Sequence, residues 1–117
     1  MPTHFVTQSF QKEYLDGIQR FNEGHYFEAH EIWEKLWLEA QDMERVFYQG
    51  LIQMAAALLK LQEGKRPEAC RRLFQLALEK LGTVPNSYLG LDVRKLEKDL
   101  KEYFNSGQVV PKITLIP

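Results

Sequence analysis

From Met43 to Glu63 the chain reads MERVFYQGLIQMAAALLKLQE, with no charged side chain between Arg45 and Lys60. Placed at ~100° per residue, Phe47, Leu51, Met54, Leu58 and Leu61 share one side of a helix and Ile52, Ala55 and Leu59 another. A helix apolar most of the way round has to be sheathed by its neighbours. Only Arg45, Gln49, Gln53 and Lys60 give it a narrow polar edge. The expectation is an all-α fold, a compact bundle of about five helices around a central buried helix at about 43–63.

With 117 residues the chain is read as a single helical domain, 1–117, long enough to bury about two-thirds of its unfolded surface. A net charge of -1 and a pI near 6.3 argue against a dedicated nucleic-acid binder. The basic groups at Lys65, Arg66, Arg71, Arg72 and at Arg94, Lys95, Lys98, Lys101 are interleaved with acids and read as solvated faces. Cys70, the lone cysteine, cannot form an intramolecular disulfide and aligns with Phe74, Ala77 and Leu81 as a buried, inert thiol. The start, MPTHFVTQSF, lacks the basic stretch and apolar core of a signal peptide, and Gln49, Gln53 and Lys60 interrupt the best apolar run. A cytoplasmic, soluble chain with no membrane partner is therefore expected.

Thr7 or Ser9 is a plausible cap for a first helix that ends near Asn22, with Phe10, Tyr14, Ile18 and Phe21 on one face. Gly17 inside it implies close approach by a neighbour, and Gly24 stops it. A second helix from about Tyr26 to Glu39 carries the stripe Ala29, Ile32, Trp33, Leu36, Trp37, Ala40. Asp42 would cap the central helix and Gly64 stop it. A fourth, about Arg66 to Leu81, turns Ala69, Leu73, Leu76, Ala77 and Lys80 to one side and closes at Gly82. Residues 82–92 read as a loop, Asp92 caps a fifth helix through about Phe104, and the tail VVPKITLIP lies extended over the bundle.

An internal repeat underlies this order. Phe21-Asn22-Glu23-Gly24 matches Leu61-Gln62-Glu63-Gly64, and Glu28-Ala29 matches Glu68-Ala69, at an offset of 40. The unit is an antiparallel helical hairpin with a glycine turn. EGHYFEAHEIWEKLW resembles the second helix of a tetratricopeptide repeat, but two copies make a pair of hairpins, not a long solenoid.

The densest polar group is EAHEIWE, Glu28 to Glu34. His30, Glu31 and Glu34 read H-E-x-x-E, one letter from the zinc-hydrolase pattern, with Glu34 in place of the second histidine and no evident third ligand beyond His4 or His25. If His30 and Glu34 face Arg45, Gln49 and Gln53, the two helices share a partly buried network of carboxylate, imidazole, guanidinium and amides. Such a network either fastens the helices together or receives a ligand.

FNEGHYFEAHEIWEKLW followed by RVFYQGLIQMAAAL resembles the bacterial and archaeal family known as domain of unknown function 309, over roughly residues 18 to 82. The family pattern falls on Phe21, Asn22, Gly24, Glu28, Ala29, His30, Glu31, Trp33, Glu34 and Trp37, then Arg45, Gln49, Gly50, Leu51, Ile52 and Gln53. The resemblance implies an all-helical fold with one central helix enclosed by others, and no established activity or cofactor.

The leading functional reading is a non-catalytic binding or scaffold domain that receives a peptide or small ligand and needs no cofactor. Its polar cluster comprises Glu28, His30, Glu31, Glu34, Arg45, Gln49 and Gln53, behind an aromatic wall of Trp33, Trp37, Phe27 and Tyr48. The rival is a metal-dependent hydrolase using His30, Glu31 and Glu34, with His30 and Glu34 as the ligands if any metal binds.

Overall fold

A computed structural model describes residues 10–65 and 67–116. Among them five helices follow in order: α1 (Lys12–Asn22), α2 (Tyr26–Glu39), α3 (Asp42–Gln62), α4 (Pro67–Gly82) and α5 (Val93–Ser106). Two short strands, β1 (Ser87–Tyr88) and β2 (Leu91–Asp92), stand between α4 and α5.

The two glycine turns are built alike. Gly24 and Gly64 adopt φ of 82° and 74°, and the residue after each donates its N–H five residues back, His25 to Arg20 O and Lys65 to Lys60 O, both at 2.9 Å. This is the hydrogen-bond pattern of a left-handed helix stop, repeated 40 positions apart.

The core forms where α3 lies between α2 and α4. Phe47, Leu51, Met54, Ala55 and Leu58 are buried, while Leu61, expected among them, is exposed where the helix leaves its neighbours. Gly17 gives α1 its closest contact. A Cβ there would stand 2.1 Å from Trp33 Nε1, so the indole lies flat on the bare backbone. Gly50 serves α3 and α4 in the same manner, with a built Cβ meeting Leu81 Cδ2 at 2.9 Å.

The repeat does not extend to the faces of α2 and α4. Ala29 is buried but Ala69 is exposed, and α4 buries Cys70, Phe74, Ala77 and Leu81 instead of the face led by Ala69 and Leu73. Two contacts rotate it: Leu81 seats at Gly50, and Phe74 stacks on Phe104 of α5 with centroids 4.0 Å apart.

Local starts and stops differ in places. Helix α1 begins at Lys12 behind Gln11, and Thr7 and Ser9 lie outside the described residues. Asp42 is not the cap of α3; it is the first helical residue, at φ 53°, a conformation that aspartate tolerates better than most. Gly82 is the last residue of α4, and Thr83 Oγ1 donates to Lys80 O at 2.8 Å just beyond it. Asp92 does cap α5, accepting from Lys95 N at 3.0 Å. The segment read as a loop contains an antiparallel hairpin, Ser87 opposite Asp92 and Tyr88 opposite Leu91. Its turn residues Leu89 and Gly90 both have positive φ, 48° and 76°, which matches the twist of a two-residue hairpin.

The tail is extended, as its prolines imply. Asn22 holds it by reading one residue's backbone from both sides: its Nδ2 donates to Ile113 O and its Oδ1 accepts from Ile113 N, each at 2.8 Å. Ile116 N then donates to Gly90 O, and Leu115 bridges to Leu91. Among the described residues no helix is long and apolar enough to cross a membrane.

Candidate functional site

The α2–α3 hairpin is pinned at its closed end by Arg45. Its Nη1 donates to Trp37 O at 3.1 Å and its guanidinium carbon lies 4.1 Å over the Trp37 ring. One side chain thus satisfies a carbonyl in the last turn of α2 and makes a cation–π contact. Both helices rise about 1.5 Å per residue, so a register set by Trp37 and Arg45 brings Gln49 level with Trp33 and Gln53 level with Ala29 and His30. Gln49, Gln53 and Lys60 are half-buried, so the polar edge of α3 runs along the border between core and surface.

The shoulder of α2 beside this edge is His30 and Glu34, both half-buried; Glu28 and Glu31 point outward and are exposed. Among the described residues no hydrogen bond or ion pair joins His30 or Glu34 to Arg45, Gln49 or Gln53. Arg45 is turned to Trp37, and the carboxylate near His30 Nδ1 belongs to Glu31 on its own helix, at 3.8 Å. What the hairpin holds instead is a set of unpaired polar atoms: His30 Nδ1, Trp37 Nε1 and Gln53 Oε1 are buried with no hydrogen-bond partner among the described residues.

The four aromatic side chains do not make one wall. Trp33 and Tyr48 are core residues; Trp33 donates from Nε1 to Tyr14 O at 3.4 Å, and Tyr48 packs edge-on to Tyr14. Burial pushes the phenols of both Tyr14 and Tyr48 well above their usual 10.0, with Tyr48 adding to the effect on Tyr14 and Glu44 to that on Tyr48. Only Trp37 stands at the polar cluster, half-buried, whereas Phe27 is 55% exposed on the outer side of α2. Large aromatics on an apolar stripe go to the deepest available space, and for Trp33 that space is the gap at Gly17.

The hydrolase arrangement is not assembled either. Among the described residues no three His, Cys, Asp or Glu side chains gather to hold a metal ion, so His30 and Glu34 gain no third protein ligand there. His4 lies outside the described residues. A cleft of about 440 Å³ is found at the far ends of α3 and α5, bordered by Leu61, Cys70, Arg71 and Phe104.

Two residues shape the molecule through partners that nothing in the sequence points to. Asn22 reads in the sequence as the end of the first helix and a position of the family pattern, and Tyr14 as a core aromatic, yet Asn22 clamps the tail and Tyr14 OH donates to Leu89 O at 3.0 Å in the β-turn. A helix-terminal asparagine two residues from a turn glycine offers no local sign of a partner 91 positions away.

The sequence pattern described as "Domain of unknown function (DUF309)" matches residues 14–72, from the first core tyrosine of α1 into α4. An uncharacterized protein of Aquifex aeolicus (strain VF5) is 28% identical over 90 residues, which cover 76% of this chain and 27% of that protein. The chain therefore spans about a quarter of the length of that relative. The crystal structure of a conserved hypothetical protein from Thermus thermophilus is similar at a TM-score of 0.70 and 32% identity, covering 80% of this chain and 96% of that one. With half of its length inside the matched pattern and both sequence blocks in order, the chain belongs to the DUF309 family.

Proposed function

We propose that the chain is a non-catalytic binding module whose α2–α3 face receives a peptide or small ligand through His30, Glu34, Gln49 and Gln53. One observation carries this reading: His30 Nδ1, Trp37 Nε1 and Gln53 Oε1 are buried without hydrogen-bond partners on the two helices of one hairpin. Each such atom costs about 1–3 kcal/mol, and native proteins leave few of them. A ligand that supplies a donor to Gln53 Oε1, an acceptor to the indole and a polar partner to the imidazole recovers that cost on binding. Arg45 supports the reading by holding the two helices in register without occupying the cluster itself.

The test is selection of a random peptide library displayed on phage against the full chain. Enriched peptides should bind His30→Ala and Gln53→Ala variants roughly ten-fold more weakly, while melting temperatures stay close to the parent value. Enriched peptides that bind both variants as well as the parent would overturn the assignment.

A further inference from the structure

We infer that the outer face of α2, which adjoins the α2–α3 cluster through Glu34, takes a basic helical segment of another protein, an inference that rests on the binding reading above and narrows it. On α1, Lys12 meets Asp16 at 2.9 Å and Arg20 meets Glu23 at 3.6 Å; on α5, Arg94 meets Glu97 at 3.1 Å and Lys95 meets Asp99 at 2.7 Å. Among the described residues α3 and α4 carry no such pair either, but their acids and bases nearly balance, whereas α2 has a clear acidic excess. It carries Glu28, Glu31, Glu34 and Glu39 against Lys35 alone, and among the described residues no lysine or arginine pairs with any of the four. Glu28, Glu31 and Glu34 follow one another at spacings of three, where like charges repel along a helix.

Apolar side chains punctuate this acidic face. Phe27 and Leu38 are 55% and 65% exposed, the most exposed large apolar residues on any helix among the described residues. Phe27, Glu31, Glu34 and Leu38 fall at i, i+4, i+7 and i+11, a single stripe along α2 with its two anchors about 16 Å apart. The complementary surface has two apolar contacts at that spacing with cations between them. A second helix laid along α2 repeats this spacing residue for residue. The sign of the charge selects against nucleic acid and anionic lipid, both of which it repels. Glu34 belongs to both the stripe and the cluster and His30 lies one turn before it, so a helix seated there adjoins the cluster.

Two synthetic peptides serve as probes for the full-length chain: one with leucines on a helical stripe and lysines elsewhere, and a counterpart with glutamate at every lysine. Fluorescence anisotropy should detect micromolar binding of the lysine peptide and none of the glutamate peptide. Binding should weaken roughly ten-fold in the Glu28→Lys/Glu31→Lys variant, and again as salt rises to about 0.5 M. Both substituted residues are exposed, and an unchanged melting temperature certifies the fold. Phe27→Ala should weaken the same complex. Equal binding of both peptides, no binding of either, or affinity within about two-fold after charge reversal would overturn the inference. If phage selection still yields peptides dependent on His30 and Gln53, only the partner class falls and the binding site stands.

Discussion

Single residues decide more here than their chemistry suggests. Tyr14 and Tyr48 show how. Both are almost completely buried, and burial holds their phenols neutral far above the ordinary value of 10.0. In the unfolded chain they lose their protons near pH 10, so above that pH the unfolded state binds fewer protons than the folded one and stability falls as pH rises. Each tyrosine contributes about 1.4 kcal/mol per pH unit until its folded value is reached. Thermal unfolding followed from pH 9 to about 11.5 should show a steep drop above about pH 10, and Tyr48→Phe should make it shallower. An unchanged slope in that variant would mean that the phenol titrates freely in the fold. Gly17 was legible in the sequence because a glycine inside an amphipathic helix needs a reason; the reason is Trp33.

At the scale of elements, what could be read depended on whether the deciding partner was near in sequence. Helix α2 has the limits that its periodicity implies, and the two glycine turns share one hydrogen-bond pattern, because both are local. The face of α4 was legible in part: the alignment of Cys70 with Phe74, Ala77 and Leu81 marks the side that is buried, whereas the repeat points to Ala69 and Leu73, because matching letters say nothing of what packs outside it; Phe104 and Gly50 turn the helix. The β-hairpin is hidden by its turn, Leu89-Gly90, which lacks the Asn-Gly or Asp-Gly signal. Likewise the polar edge of α3 is visible as a stripe, but its use is not: Arg45 goes to Trp37, and Gln53 Oε1 has no hydrogen-bond partner among the described residues. The tail depends on Asn22, and removing that clamp tests the assignment. In Asn22→Ala the Ile113 amide, which donates to Asn22 Oδ1, should exchange with solvent roughly ten-fold faster while the amides of α3 keep their protection. Unaltered exchange at Ile113 would show that apolar contacts alone hold the tail.

Across the whole molecule the helices pack mainly on their neighbours in sequence, giving a body of 55 × 28 × 26 Å. Such a stack leaves long helix faces at the surface, and the outer face of α2 is the one that combines an acidic excess without lysine or arginine partners among the described residues with the most exposed apolar side chains of the described helices. Of the four buried side-chain polar atoms without a hydrogen-bond partner among the described residues, three lie in the α2–α3 hairpin, where a fastening would have paired them. The account therefore turns on whether the cluster costs or contributes stability in the free protein. Chemical denaturation of Gln53→Met decides this, because methionine fills the same space without a carbonyl to satisfy. We predict stability unchanged or raised by about 1 kcal/mol, with binding lost. A loss of about 1–2 kcal/mol would make Gln53 a structural tie and contradict the binding account.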